Sequence, residues 1–299
     1  MIRLQGLVLK NYNGYYYVKA STTGCIYTCK VKGRMKQNRF SIVTGDSVFF
    51  ETEGTPEGMI VEVAPRRNFL PRPAVANLDL LFVEFACVSP DFSFLLADKL
   101  LLSAAQAGIE VVLLLNKCEL VDKEAADKIK NVYEAAGYEV LFISAKNNIG
   151  MDSLRQRLHG KICAFAGPSG VGKSSTINAV DGCVNLRTGA VSEKIRRGKH
   201  TTRYAQLLPF AEGYLVDTPG FGNLLPEGLL KEDVSKYFPE FAAYENACRF
   251  RPCTHVHEPI CGVKAAVTEG KISATRYASY KFILEELEEI KEREGRKSW

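Results

Sequence analysis

The chain has 299 residues, of which 46% are apolar, and it carries a formal net charge of +5. A chain of this length exceeds a typical single domain, so we expect two or three domains built on one large core and smaller satellite cores. No apolar run reaches the roughly 18 residues that span a bilayer, and residues 1–18 lack the apolar centre of a signal peptide. These features predict a cytoplasmic protein with no membrane partner.

The first 66 residues are predicted to form a small barrel. They contain runs of strand-forming residues separated by glycine-containing turns, and the predicted strands are 6–9, 15–20, 26–31, 46–51 and 59–63. Five short strands in so little chain are typical of the OB-fold, a barrel that binds oligonucleotides. Four tyrosines either stack on bases or only seal the barrel: Tyr12, Tyr15, Tyr16 and Tyr17. We expect Cys25 and Cys29 to lie on one face of a strand in the barrel core.

From Asn77 onwards, apolar runs alternate with helical patterns. The predicted strands are 80–85, 111–115, 140–143, 162–166 and 214–216, and the predicted helices are 93–107, 123–136, 151–158 and 174–180. Continuous apolar strands separated by helices are typical of a parallel sheet with helices on both faces. The segment after Pro226 ends in a charged helix at 272–294. We expect a barrel domain at 1–66, an α/β domain at 67–225 and a mostly α-helical domain at 226–299.

A phosphate-binding loop is predicted at 167–174, where Gly-Pro-Ser-Gly-Val-Gly-Lys-Ser matches the pattern G-x-x-x-x-G-K-S/T between an apolar strand and a helix. In such a loop, backbone N–H groups surround the phosphates, the Lys173 ammonium contacts the β and γ oxygens, and the Ser174 hydroxyl binds Mg²⁺. The residues expected to bind the phosphates are Gly167, Pro168, Ser169, Gly170, Val171, Gly172, Lys173, Ser174 and Ser175.

A second phosphate element, Asp-Thr-Pro-Gly at 217–220, follows the apolar segment 214–216. In nucleotide hydrolases a carboxylate placed like Asp217 holds Mg²⁺ through water, and an amide placed like that of Gly220 meets the γ-phosphate. A D-x-x-G sequence alone is weak evidence. At the end of an apolar strand downstream of a phosphate loop, it supports nucleotide hydrolysis.

Two motifs predict that the nucleotide base is guanine. The first is Asn116-Lys117-Cys118-Glu119, which follows the apolar segment 111–115 and is similar to the N-K-x-D motif of GTPases. There the acid accepts hydrogen bonds from guanine and the lysine stem covers the base; here the acid is Glu119, one methylene longer. The second is Ser144-Ala145-Lys146, again after an apolar strand. Together they predict that the protein binds GTP and GDP.

These motifs stand in an unusual order. An ordinary GTPase presents the phosphate loop first, then D-x-x-G, and the two guanine motifs last, whereas this chain presents the guanine motifs first. The order predicts a circularly permuted GTPase, in which the helix at 151–158 joins the former termini. The segment after Asp217 then continues directly into the cysteine-bearing segment, so nucleotide-dependent movement would reach the C-terminal domain without an intermediary.

A cysteine cluster predicts a metal site near the C-terminus. Cys248, Cys253, His255 and Cys261 form C-x4-C-x-H-x5-C, which supplies three thiolates and one imidazole. This ligand set suits tetrahedral Zn²⁺, and four protein ligands leave no open position, so we expect one structural zinc ion. The alternative is that buried cysteines lie beside an unrelated histidine. His257 is a spare candidate ligand.

Together, the motif order, the N-terminal barrel and the C-x4-C-x-H-x5-C cluster resemble the RsgA family of small ribosomal subunit biogenesis GTPases, also called YjeQ or YloQ, over essentially the whole chain. The resemblance implies an OB-fold, a permuted GTPase domain and a C-terminal zinc domain. It also implies binding to the 30S subunit and its 16S rRNA, action late in subunit maturation, and GTP hydrolysis stimulated by the subunit. We expect a monomer whose hydrolysis is coupled to release of a maturation factor or of itself.

The segment 197–202, Arg-Gly-Lys-His-Thr-Thr, resembles the switch I motif of this family, G-x-H-T-T. The resemblance places Thr201 or Thr202 at the magnesium-binding position. Arg203 stands where many members carry a third threonine, which leaves the choice between the two open.

Phe221 directly follows the D-x-x-G motif, where Ras-like enzymes place the glutamine that orients the attacking water. A phenyl ring cannot orient water, so we predict slow intrinsic hydrolysis. His200 is expected to supply the missing function once switch I is ordered on the ribosome; the alternative is that it only contacts phosphate or RNA. The residues expected to take part in catalysis are His200, Lys173, Thr201 and Thr202.

Two other functions compete with this interpretation. The first is an RNA-binding nucleotide sensor in which turnover is incidental, and the second is a P-loop kinase that uses ATP, against which the paired guanine motifs argue. The barrel and the basic residues around switch I are the expected RNA-facing surfaces. The acidic stretch 285–294 is poorly suited to RNA.

Overall fold

The computed structural model describes residues 1–31, 41–180, 205–217, 225–226 and 228–297. Its N-terminal part is a barrel of five strands: β1 (Ile2–Tyr12), β2 (Tyr15–Ala20), β3 (Ile26–Val31), β4 (Ser47–Thr52) and β5 (Glu57–Val63). Within the barrel the strands pair in the closed order β1-β2-β3-β5-β4-β1, and only β3 and β5 run parallel. Val8, Val18 and Phe50 are fully buried inside it. The predicted OB-type barrel is confirmed.

The two cysteines near the third strand lie in different surroundings. Cys29 is fully buried in β3, and burial raises the pKa of its thiol to about 12. Cys25 is exposed, because β3 begins only at Ile26 and Cys25 lies in the connection from β2. The prediction is therefore correct for Cys29 and wrong for Cys25.

The central part of the chain is a largely parallel sheet. Its strands are β8 (Leu80–Ala86), β9 (Glu110–Asn116), β10 (Glu139–Phe142), β11 (Ile162–Ala166), β12 (Gln206–Phe210) and β13 (Gly213–Asp217). They lie in the order β10-β9-β8-β11-β13-β12, and β12 alone among them is antiparallel to its neighbour. Every residue of β8 is buried, as expected for an inner strand of a sheet covered on both faces. The predicted parallel sheet is confirmed, and β12 is an addition to it.

The barrel and the central sheet are continuous. Strand β12 pairs with β1 through Lys10 and Gln206, which produces one sheet of eleven strands. The Thr44 hydroxyl donates to the Ala205 carbonyl at 2.7 Å across the same junction. A short hairpin that the sequence did not predict, β6 (Phe69–Pro71) and β7 (Ala74–Ala76), follows the barrel.

Four helices cover the two faces of the central sheet: α1 (Phe94–Gln106), α2 (Lys123–Ala135), α3 (Met151–Leu158) and α4 (Lys173–Val180). Leu100 of α1 and Tyr133 of α2 pack in the core on one face. Leu154 of α3 and Ile177 of α4 pack on the opposite face. Helix α3 connects β10 to β11, as the permuted order predicts. Among the described helices, none is both long and apolar enough to cross a membrane.

The C-terminal part is mostly helical. It comprises the 3₁₀ turns Lys231–Tyr237 and Pro239–Phe241 and the helices α5 (Ala242–Glu245), α6 (Gly262–Thr268) and α7 (Ala274–Lys297). Phe238, Phe241, Tyr280 and Ile283 are buried together in its core, which also contains Leu102 of α1. Helix α7 therefore packs on the cysteine-bearing segment and also on the central domain.

A buried ion-pair network joins the C-terminal part to the central domain. The Arg276 guanidinium on α7 donates to Asp98 Oδ1 on α1 at 2.6 Å and to both carboxylate oxygens of Glu240 at 2.8 and 2.9 Å. Arg276 is 1% exposed. Burial opposes its charge, but the charges of Asp98 and Glu240 outweigh burial and raise the pKa of Arg276 above its ordinary value. The guanidinium therefore stays charged between the two parts of the chain.

Candidate nucleotide and metal sites

The loop at 167–172 connects the carboxyl end of β11 to the start of α4. Gly167 and Gly172 have φ angles of 140° and 118°, which L residues with side chains rarely adopt. A Cβ atom at Gly167 would lie 2.0 Å from the Glu84 carbonyl oxygen, and one at Gly172 would lie 2.3 Å from Asn116 Nδ2. Glycine is required at both positions because the loop packs closely on β8 and β9.

Lys173 is held inside the loop by its own backbone. Its ammonium donates to the carbonyl oxygens of Gly167 at 2.9 Å and Pro168 at 2.7 Å. Burial lowers the pKa of Lys173, although the charge of Glu84 opposes this effect. The cation is thus held at the loop that the sequence assigns to phosphate.

Asn116 connects the first guanine motif to the phosphate loop and to the second guanine motif. Its Oδ1 atom accepts from the backbone N–H of Lys117 at 2.7 Å and of Ala145 at 3.4 Å. Its Nδ2 atom donates to the Val171 carbonyl at 3.2 Å. The Lys117 ammonium in turn donates to the Gly170 carbonyl at 2.9 Å. The structure therefore brings together three motifs that lie far apart in the sequence.

The remaining guanine-motif residues differ in burial. Glu119 lies in the 3₁₀ turn Cys118–Leu120, and its Oε2 atom is buried without a hydrogen-bond partner among the described residues. Ser144 is buried and its hydroxyl accepts from the Asn147 N–H at 3.1 Å, whereas Lys146 is exposed. A buried carboxylate oxygen without a partner is an acceptor that the N–H groups of guanine could satisfy.

Asp217 ends β13, and β13 runs parallel to β11, so Asp217 lies at the same sheet edge as the phosphate loop. Burial raises the pKa of Asp217, which is the environment of a carboxylate that a nearby cation would stabilise. The expected site residues His200, Thr201, Thr202 and Gly220 lie outside the described residues, as do Arg203 and Phe221.

Glu84 is a residue of this site that belongs to none of the sequence motifs. It is fully buried in β8, where Oε1 accepts from Asn116 Nδ2 at 2.8 Å and from the Thr176 hydroxyl at 2.9 Å. Burial raises its pKa to about 7, against the opposing effects of these hydrogen bonds and of the Lys173 and Lys117 charges. The available signal was one acidic residue inside the apolar run Leu-Leu-Phe-Val-Glu-Phe-Ala.

We expect the Glu84→Gln variant to lose a pH dependence of stability. The folded pKa of about 7 exceeds the ordinary value of 4.5, so folding favours the protonated carboxyl. Ionisation of this buried carboxyl therefore lowers the free energy of unfolding. The loss is absent well below pH 4.5 and grows until the pH exceeds 7, where it reaches about 3 kcal/mol. Urea unfolding at pH 5 and pH 8 should show the parent losing most of this amount relative to Glu84→Gln.

The exposed Glu53→Gln variant is the matched control and should follow the pH profile of the parent. A difference between parent and Glu84→Gln that stays constant with pH would contradict the raised pKa.

The cysteine cluster is assembled as predicted. The ligand atoms of Cys248, Cys253, His255 and Cys261 all lie within 4.8 Å of one another. Cys248 Sγ lies 3.6 Å from His255 Nδ1 and 3.8 Å from Cys261 Sγ, and His255 Nδ1 lies 3.4 Å from Cys261 Sγ. Tetrahedral bonds of about 2.3 Å to sulfur and 2.0 Å to nitrogen require separations of about 3.5 to 3.8 Å. The donor set, and the spacing among Cys248, His255 and Cys261, therefore fit a tetrahedral metal ion such as Zn²⁺.

The cluster is supported by its surroundings. The N–H groups of Gly262 and Lys264 donate to Cys248 Sγ at 3.3 Å and Cys261 Sγ at 3.5 Å. Such N–H groups stabilise thiolates. Burial lowers the pKa of His255 despite the nearby charges of Glu245 and Glu258, so the imidazole is neutral and can bind a metal.

His257, the spare candidate ligand, is exposed and lies outside the cluster. Helix α7 contacts the backbone beside the cluster: the Tyr277 and Tyr280 hydroxyls donate to the carbonyl oxygens of His255 at 2.6 Å and Thr254 at 2.7 Å.

The fold and these sites define a circularly permuted GTPase with an N-terminal OB-type barrel and a C-terminal Cys/His cluster that could hold a metal ion. The family model described as RsgA GTPase matches residues 63–225, and the RsgA N-terminal domain matches residues 5–60. The chain belongs to the RsgA GTPase family and is a GTP hydrolase.

Relatives and solved structures are similar to this chain over nearly its whole length. The small ribosomal subunit biogenesis GTPase RsgA of Agathobacter rectalis is 41% identical, covering 95% of this chain and 98% of the relative. The protein of the same name from Clostridium botulinum is 42% identical, covering 98% and 100%. YjeQ from Thermotoga maritima has a TM-score of 0.84 at 36% identity, covering 96% and 99% of the two chains. YloQ, described as a circularly permuted GTPase, has a TM-score of 0.80 at 28% identity, covering 96% of both.

Proposed function

We propose that this GTPase binds the small (30S) ribosomal subunit and acts late in its maturation, coupling GTP hydrolysis to release of a maturation factor or of itself. The observation that carries the proposal is the match over almost the full length to relatives named for small ribosomal subunit biogenesis. Such a factor works in the cytoplasm as a monomer and contacts 16S rRNA.

In this proposal the nucleotide lies along the carboxyl edge of the sheet. The phosphates bind the loop at 167–175, and guanine binds the motifs at 116–119 and 144–146, with Glu119 as its acceptor. Mg²⁺ would be held by Ser174 and Asp217 with Thr201 or Thr202, and it would neutralise charge on the transferred phosphate. The loop and both guanine motifs meet at the Asn116 side chain, which supports this arrangement.

We further propose that the metal is one structural Zn²⁺ and that the domains span 1–66, 67–225 and 226–299. The four ligands leave no position for a substrate, which supports a structural role. The first boundary agrees with the barrel, whose last strand β5 ends at Val63.

GTP turnover measured with small subunits, large subunits or neither tests the function. We expect small subunits, but not large subunits, to raise turnover by a factor of at least about 10, because residues outside the protein order the catalytic groups. Lys173→Ala should lower stimulated turnover by roughly 100-fold or more, since it removes the charge against the phosphates. His200→Ala should lower it by roughly 100-fold while leaving GDP and subunit binding unchanged, as expected for a catalytic group.

The exposed Lys128→Ala variant on α2 is the matched control and should behave as the parent. Full stimulated turnover by His200→Ala would show that His200 has no catalytic role. Turnover that small subunits do not change would instead favour the RNA-binding nucleotide sensor.

The outer face of the barrel supports the RNA-binding part of the proposal. Tyr15 is 39% exposed and Lys30 Nζ lies 5.2 Å from its ring centroid, while Lys10 Nζ lies 4.4 Å from the ring centroid of Tyr17. Aromatic rings beside lysines can stack on bases and contact phosphates together. Tyr16 packs against the barrel core instead, so the four tyrosines do not share one role.

We expect Lys10→Gln combined with Lys30→Gln to weaken binding to small-subunit rRNA and to flatten its salt dependence. Each lost phosphate contact should reduce the slope of log affinity against log salt by about 0.7 to 0.9. Filter binding between 50 and 200 mM salt, which is about the range used for such slopes, measures this. Lys128→Gln on α2 is the control; a parent protein with no salt dependence would exclude this surface.

A further inference from the structure

Glu84 occupies the point at which the three nucleotide-binding elements meet. It lies in β8 between β9, which ends at Asn116, and β11, which leads into the phosphate loop. Its backbone carbonyl lies directly against Gly167, the first residue of that loop. No part of the residue is exposed. Glu84 therefore contacts the nucleotide-binding elements from inside the sheet, where it can affect their geometry without contacting the nucleotide.

The Glu84 carboxylate determines how the Asn116 amide is oriented. Asn116 Nδ2 has three acceptors, and the 2.8 Å bond to Glu84 Oε1 is shorter than the 3.2 Å bonds to the Val171 carbonyl and the Thr176 hydroxyl. With Nδ2 directed at Glu84, Oδ1 is left to accept from the backbone of Lys117.

The contact between Asn116 Oδ1 and the Lys117 backbone helps to fix the segment that is expected to bind guanine. Lys117 has a left-handed φ of 59°, a conformation that residues with side chains adopt only when the surroundings hold it. The adjacent turn Cys118–Leu120 carries Glu119, the expected guanine acceptor. A rotated Asn116 amide would present N–H to N–H at Lys117 and release this segment.

We propose that Glu84 is a positioning residue for guanine-nucleotide binding, which fixes the Asn116 amide and so holds the guanine motifs in register with the phosphate loop. The inference rests on the proposed function, in which the nucleotide binds at these motifs. Oε1 can accept a hydrogen bond whether the carboxyl is ionised or neutral, so the role requires no change of protonation. Thr176, through its bond to the same oxygen, holds the carboxyl in place.

Calorimetric binding of GDP and IDP to the full-length protein with Mg²⁺ tests this role. IDP lacks the 2-amino group of guanine, so the ratio of the two affinities reports whether Glu119 is correctly placed. Glu84→Leu should weaken GDP binding by roughly 10-fold or more, because Asn116 Nδ2 loses its shortest hydrogen bond and the Thr176 hydroxyl loses its acceptor, and it should reduce the GDP-to-IDP ratio. Glu84→Gln keeps an accepting oxygen and should restore both values to within about threefold of the parent.

Phe82→Leu is the matched control, since Phe82 lies on the same strand and packs on Phe165 rather than on the site. It should lower the melting temperature without changing the ratio. If Glu84→Leu does not fold, Thr176→Val should reduce the ratio in its place, because it removes the hydroxyl that holds the carboxyl.

The inference is overturned if folded Glu84→Leu, or Thr176→Val, keeps the ratio of the parent, or if Glu84→Gln loses the ratio as completely as Glu84→Leu. Failure of the proposed site looks different: Lys173→Ala and Asn116→Ala would then both bind GDP as the parent does. If those two variants lose GDP binding but Glu84→Leu keeps the GDP-to-IDP ratio of the parent, only the role of Glu84 is refuted.

Discussion

If the proposed zinc ion is bound at the cysteine cluster, the Cys248→Ala variant is expected to lose it and to unfold the C-terminal part of the chain. Cys248 is buried and lies within 3.8 Å of two other ligand atoms, so its removal leaves three ligands in a site built for four. Structural zinc in small domains supplies about 10–16 kcal/mol of apparent binding free energy, most of which is folding free energy. The segment 248–261 contains no helix or strand that could keep it folded without the metal.

Metal analysis and hydrogen exchange measure this result. The parent should contain about one zinc per chain and the variant much less, and amides of α6 should exchange rapidly in the variant. Cys29→Ala is the matched control, because it also removes a buried thiol but from the barrel. Full zinc content in Cys248→Ala, or unchanged exchange in α6 after zinc loss, would contradict a structural metal.

The Arg276→Met variant is expected to be destabilised by about 3–5 kcal/mol, the cost of leaving buried charges without their partner. Asp98 and Glu240 would both lose a cation that lies within 2.9 Å of each. Because these carboxylates come from α1 and from the 3₁₀ turn Pro239–Phe241, the loss should loosen the contact between the central and C-terminal parts.

Native-state hydrogen exchange of α7 amides measures the loss of free energy. Arg293→Met removes an exposed arginine from the same helix, whose pair with Glu289 should contribute at most about 1 kcal/mol. The triple variant Arg276→Met, Asp98→Asn, Glu240→Gln should recover part of the stability, since it leaves no buried charge unpaired. A loss below about 1 kcal/mol in Arg276→Met would show that the network does not hold the two parts together.

How much of the nucleotide site could be predicted from the sequence depends on the range of each signal. The phosphate loop and the two guanine motifs are short and follow apolar strands, so their chemistry could be recognised before any contact was known. Asn116, at the centre of the site, was found in this way. The residue beneath it, Glu84, belongs to no motif, because its role depends on strand pairing rather than on neighbours in sequence. The nucleotide-binding roles of the motif residues stay predictions, as do the assignments of His200, Thr201 and Thr202.

By itself the sequence determined the protein class: the order of the nucleotide motifs identified a permuted GTPase, and four potential ligands within a short segment identified a candidate metal site. Local chemistry and spacing are enough for such features. Only the tertiary structure decided how the parts connect. The pairing of β1 with β12 and the Arg276 network join residues about 180 to 200 positions apart. Cys25 shows the same limit, since an element boundary one residue away placed it outside the barrel core. Contacts between distant segments depend on how the packed elements meet, which no local pattern encodes.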